Sequence, residues 1–168
     1  MDRHGLAACY EQPQGMKLRL IMIGKSERGF VSEGLEHYLA RMARKEQVEQ
    51  LVLPEAGKGD AAYQQRVEGE RIEAAMRPGE KLVLLDEHGE EFTSTGFADQ
   101  LASWRDQGVR QVAFVIGGAY GLSPGLRQRA DLVMCLSRMT FPHQLVRVLF
   151  AEQLYRAYMI MEGRPYHH

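Results

Sequence analysis

Long apolar runs are missing from this 168-residue chain, and no stretch approaches the length needed to span a bilayer. The opening "MDRHGLAACYEQPQG" holds no apolar segment long enough for a secretion signal. Cysteine is scarce. Cys9 and Cys135 are the only two, neither has a metal-type partner nearby, and two thiols do not make a disulfide framework. No metal site is expected, and a reducing, cytoplasmic setting fits. Charge of one sign is missing as well: the formal net charge is -1, so no global basic field points to nucleic acid. Gly-Lys-Ser/Thr does not occur, which excludes a phosphate-binding P-loop. Lysine is absent from Ile116 to the end, while Arg127, Arg129, Arg138, Arg147, Arg156 and Arg164 stand there against Asp131, Glu152 and Glu162. That local excess reads either as a solvated surface or as a basic face for an anionic partner.

What is present is globular. Hydrophobic residues make up 45% and charged residues 26%, enough for one domain with a real core. Residues 1–15 lack periodicity and read as a loose, unstructured extension, with the domain spanning 16–168. Strand-like segments at 17–24, 48–55, 81–86, 111–117 and 132–137 alternate with helical patterns at 30–46, 60–77, 94–107, 123–130 and 144–161. Asp60 and Ser123 are the expected caps, with Pro124 at a first helical position. "EHGE" after Asp86 reads as a turn. This alternation predicts a single α/β domain with a mostly parallel sheet and helices on both faces. Ligands of such sheets sit beyond the carboxyl ends of strands. Three strand ends therefore matter: Leu85-Asp86, Gly117-Gly118, and Leu136-Ser137 with the loop after it.

"FVIGGAYGLSPG" (114–125) breaks a strand with glycines. The G-x-G-x-x-G fingerprint of dinucleotide folds has a different spacing and lies early in a chain. On residues alone the stretch is either a tight turn or a place where backbone approaches a ligand. "LSRMTFPHQLVRVLFAEQLYRAYMI" (136–160) runs from a strand end into a helix that is apolar nearly all round. Such a helix is buried or packs on another subunit. His143 at its start fits a cap, a surface position or a site. "GRPYHH" fits a frayed tail as well as a functional one.

Taken together, "MKLRLIMIGK", "FVIGGAYGLSP", "LSRMTFPHQLVRVLFAEQLYRAY" and the terminal "PYHH" resemble the SPOUT-class ribosomal RNA large-subunit methyltransferases that modify N3 of a pseudouridine in 23S RNA. The resemblance covers residues 16–168. It implies a C-terminal deep trefoil knot that gathers the three strand ends around S-adenosyl-L-methionine. Carried over, Leu85 lines the adenosine pocket and Gly117 gives close backbone approach. Leu136, Ser137, Arg138, Met139, Thr140 and Phe141 form the cofactor loop. N3 of pseudouridine carries a proton, so a base is wanted; His143 and His167 are the side chains with suitable ordinary pKa. Tyr166 offers a ring for base stacking, and Arg147, Arg156 and Arg164 suit phosphate contacts. The apolar wrap of Leu145, Val148, Leu149 and Leu154 predicts a homodimer joined through the last helix, as SPOUT proteins generally form, acting on the ribosome or its large subunit. The competing expectations are a SPOUT enzyme acting on another RNA such as tRNA, and a non-catalytic ribosome-assembly factor.

Overall fold

The computed structural model describes residues 15–166. The expected extension, Gly15 apart, and His167 lie outside the described residues. Ten elements alternate: β1 (Lys17–Ile23), α1 (Phe30–Met42), β2 (Val48–Leu53), α2 (Ala61–Ala75), β3 (Lys81–Glu91), α3 (Ser94–Asp106), β4 (Gln111–Ile116), α4 (Pro124–Arg129), β5 (Leu132–Cys135) and α5 (His143–Met161). Helices α2, α3 and α4 start where side chains can satisfy the first free amides. Asp60 accepts from the Tyr63 amide at 2.8 Å, Thr93 from that of Gly96 at 3.0 Å, and Ser123 from that of Leu126 at 3.2 Å.

The five strands form one parallel sheet in the order β2-β1-β4-β3-β5. Period-two alternation sorts their side chains into two cores. Leu18, Leu20 and Met22 of β1 join Phe114 of β4 and Val83 of β3 on one face, covered by α1, α3 and α5. Ile21 and Ile23 join Leu84 and Val115 on the other, covered by Ile72 of α2 and Leu126 of α4. Met16, 3% exposed, belongs to the first core. The connection from β3 to β4 carries α3 over one face, and the connection from β4 to β5 carries α4 over the other. That divergence opens a crevice at the carboxyl ends of these strands.

Two expectations need correction. The strand read as 81–86 continues to Glu91: Leu85 and Glu90 are both in register with Met134 of β5, and residues 86–89 arch out between them. The arch is closed by the turn chemistry read in "EHGE", since Asp86 Oδ1 accepts from the His88 amide at 2.9 Å. Gly89 lets the arch lie on β5, because a Cβ there would sit 2.6 Å from the Val133 carbonyl oxygen. The second correction concerns α5. Leu154 is fully buried in the core, and Val148 packs against Gly34 of α1, where a Cβ would lie 2.9 Å from its Cγ1. Leu145 and Leu149 of the expected interface are half-buried.

Candidate active site

The crevice holds a cavity of about 790 Å³, well within the range of small-molecule sites. All three strand ends singled out in the sequence line it. Leu85, Gly117, Leu136, Ser137, Met139, Thr140, Phe141 and His143 are in its wall.

The glycine stretch first serves its own fold. A Cβ on Gly117 would lie 3.0 Å from Leu122 Cδ2 and 3.1 Å from the Gly121 carbonyl carbon. One on Gly118 would lie 2.8 Å from Glu68 Oε2. The Gly121 amide donates to the Gly118 carbonyl at 3.0 Å, and Gly121 has φ +76°, a conformation glycine adopts without steric cost. Residues 117–122 therefore fold back tightly, and the turn leaves bare backbone facing the cavity.

The loop 136–141 is held from the arch of β3. Thr140 Oγ1 donates to Glu87 Oε2 at 2.6 Å, and Arg138 Nε donates to Glu91 Oε2 at 3.0 Å. Within the loop the Met139 amide donates to Ser137 Oγ at 3.0 Å. Arg138 departs from expectation: its side chain is 85% exposed, turned to Glu91, and absent from the cavity wall. The arch is itself fixed. Asp86, 6% exposed, places Oδ2 2.9 Å from Arg127 Nη2 and Oδ1 3.0 Å from His88 Nδ1. Asp86, Glu87, His88 and Arg127 all line the cavity and were assigned no role from sequence. The available signal was an acid placed directly after the apolar run "LVLL" at a strand's carboxyl end. Arg127 carried no local signal.

His143 is the first residue of α5 and half-buried. Burial pushes its pKa below the usual imidazole value, and the Arg147 cation one turn on pushes the same way; Glu55, Glu27 and Glu68 oppose. The ring is thus neutral at pH 7, with a nitrogen free to accept a proton.

Arg147 contradicts the reading as a phosphate anchor. It is fully buried. Nη2 donates to the Ile23 carbonyl at 2.6 Å; Nη1 donates to the Gly24 carbonyl at 3.0 Å and to Ser26 Oγ at 3.1 Å. Gln144 completes the tie, donating to the Lys25 carbonyl at 3.1 Å and accepting from the Glu27 amide at 3.0 Å. These two side chains bind the start of α5 to the loop after β1. Charge alone, as read from sequence, could not distinguish such a clasp from a surface cation.

Tyr166 also sits elsewhere than in this chain's cavity wall. Its hydroxyl donates to Glu152 Oε1 at 2.7 Å, its ring meets Tyr155 edge-on at 5.6 Å, and the Arg156 guanidinium lies 3.9 Å above it. Burial and the Glu152 hydrogen bond push the phenol pKa up to about 12, so it stays protonated and is no base at neutral pH. Arg156 also pairs with Glu152 at 2.6 Å. Arg164 is largely exposed, with Nε 3.1 Å from Glu162 Oε2.

Comparison with known proteins places this architecture. The family model described as "Predicted SPOUT methyltransferase" matches residues 16–167. A protein of Geobacter sulfurreducens named "Ribosomal RNA large subunit methyltransferase H" is 44% identical over 156 residues, covering 91% of this chain and 100% of the relative. One of the same name from Cereibacter sphaeroides is 48% identical over 157 residues, covering 90% and 99%. The crystal structure of a probable methyltransferase from Bordetella pertussis shares the fold with TM-score 0.53 at 16% identity, over 84% of this chain and 96% of that one. With the match running from the first core residue, Met16, through the cavity segments and the whole of α5, the chain belongs to the SPOUT methyltransferase family.

Proposed function

We propose that this protein methylates N3 of a pseudouridine in large-subunit ribosomal RNA, using S-adenosyl-L-methionine. The observation that carries the reading is the cavity itself: the three segments expected to meet around the cofactor meet there, in a chain whose relatives are ribosomal RNA methyltransferases. The residues fit the cofactor. Leu85, Ile116, Leu136 and Phe141 offer apolar surface for an adenine, and the 117–122 turn offers bare backbone for polar contacts. When bound, the cofactor supplies an electrophilic sulfonium methyl. The protein's part is to hold donor and acceptor in line, keep water out and remove the N3 proton. His143, neutral and in the cavity wall, is the proton acceptor we assign.

The remaining parts of the reading concern assembly. The protein acts in the cytoplasm, where its ribosomal substrate is made. Its C-terminal region forms the deep trefoil knot. Two copies associate through the outer face of α5, and Tyr166 and His167 of one copy work at the cavity of the other. Arg164 and Arg156 serve the RNA. The docking of Tyr166 along α5, away from its own cavity, supports a tail that works across an interface. Light scattering should give twice the chain mass at micromolar concentration; a monomer overturns the shared site.

The function is tested with radiolabelled cofactor and ribosomes from a strain lacking the gene. Label should enter the large-subunit RNA at one pseudouridine. Label in tRNA alone selects the other SPOUT reading. No label in either RNA, with the cofactor bound, selects the assembly-factor reading.

A further inference from the structure

Among the described residues, the cavity wall holds one permanently charged cation, Arg127. Its surroundings leave it under-used. Nη2 meets Asp86 Oδ2 at 2.9 Å, while Nε is buried and has no hydrogen-bond partner among the described residues. The side chain is still 35% exposed, and Arg127 lines the cavity. A buried donor without an acceptor costs about 1–3 kcal/mol, so an orphaned one at a cavity wall calls for a partner. The other charged groups of the wall are already engaged: Asp86 with Arg127 and His88, and Glu87 with Thr140. Arg127 is also held in place from behind. Its helix is anchored by Leu126, fully buried, and capped by Ser123.

From this arrangement we infer that Arg127 receives the carboxylate at the amino-acid end of S-adenosyl-L-methionine, with Asp86 as the positioning residue that aims the guanidinium. The assignment rests on the cofactor reading above. Its chemical logic is complementarity. The cofactor carries one carboxylate, and a carboxylate leaving water needs a fixed cation or several donors. A guanidinium can serve two carboxylates at once, because its five N–H groups form a planar fork. The ammonium beside the ligand's carboxylate offsets the Asp86 charge, so an ion pair in the wall faces a zwitterion in the ligand.

The test uses calorimetry on the full-length protein with two non-reactive ligands. These are S-adenosylhomocysteine and its decarboxylated counterpart, which keeps the amine and lacks only the carboxylate. The wild-type protein should bind the decarboxylated ligand at least about tenfold more weakly, the scale of one charge-assisted hydrogen bond. Arg127→Gln should weaken S-adenosylhomocysteine by a similar factor and leave the decarboxylated ligand within about twofold of its wild-type affinity. Asp86→Asn should narrow the same gap while Arg127 remains. Equal affinity of the wild-type protein for the two ligands overturns the inference without any variant. So does an Arg127→Gln protein that weakens both ligands alike, which would make Arg127 a support for the arch only. If the wild-type protein binds neither ligand, the cofactor reading fails first and this assignment with it.

Discussion

Glycine 117 has two duties that pull in the same direction. It lines the cavity, and the space where its Cβ would stand is filled by Leu122 and the Gly121 backbone. Gly117→Val should therefore push the 117–122 turn into the cavity. Overpacking of this kind costs about 1–3 kcal/mol, which corresponds to a loss of cofactor affinity of about 10- to 100-fold if it falls on the bound state. Calorimetry that gives wild-type affinity for Gly117→Val would remove the residue from the site. His143 carries a pH prediction. Burial and Arg147 hold its pKa below the ordinary value. The proton-accepting form therefore persists to lower pH than for a free imidazole, and is lost only as pH falls through the depressed value. Methyl transfer should decline as pH falls, with the decline centred below about 6.5, the ordinary imidazole pKa. A decline centred above that value, or a methyl-transfer rate unchanged by His143→Asn, would show that another group takes the proton.

The elements themselves were largely legible, because each strand is a short apolar run and each helix shows a period near 3.6. Phe97, Leu101 and Trp104 form the buried face of α3 as their spacing requires. What was not legible follows from backbone rather than side chains. The far end of β3, "GEE", has no strand alternation; it pairs because the arch returns its backbone to β5. The sheet order was equally hidden, since fully buried parallel strands give near-identical apolar runs. In α5 the reading failed at the side chain that matters most to the element. Arg147 is the peg that joins the last helix to the first strand, and removing it would strand the Ile23 and Gly24 carbonyls in the interior. Arg147→Ala should cost roughly 3 kcal/mol, from the cavity left and the acceptors unpaired. Arg164→Ala, on the exposed tail, should leave stability unchanged and weaken binding to ribosomal RNA. Urea titration separates the two. Equal midpoints for Arg147→Ala and the wild type would return Arg147 to the surface role its charge suggested.

At the scale of the whole molecule, the tail decides whether one chain holds a complete site. The segments that line the cavity were legible in the sequence because they lie at strand ends, where α/β sheets place their ligands. The tail's placement was not, because six residues after a helix have no periodicity to read. In the structure Tyr166 is clamped between Glu152 and the Arg156 guanidinium, with Tyr155 at its edge, and none of these residues lines the cavity. A rigid mount of this kind suits presentation of a ring to a neighbour more than a fold-back into the chain's own pocket. The phenol, with its pKa pushed up to about 12, stays neutral across the working range. Truncation after Gly163 removes the ring, Arg164 and both terminal histidines, while every described residue of the cavity wall remains. Cofactor affinity should then stay near the wild-type value. Methyl transfer should fall by about 10²-fold or more, the scale of lost positioning and proton transfer. Single-turnover methylation of isolated ribosomes with saturating cofactor measures the chemical step directly. Mixing the truncated chain with a Gly117→Val chain adds a second reading: if the tail serves the partner's cavity, a mixed dimer pairs one intact cavity with one intact tail and recovers part of the rate. If the truncated protein alone already matches the wild type, the tail has no part in the chemistry, and each chain works with its own cavity and His143.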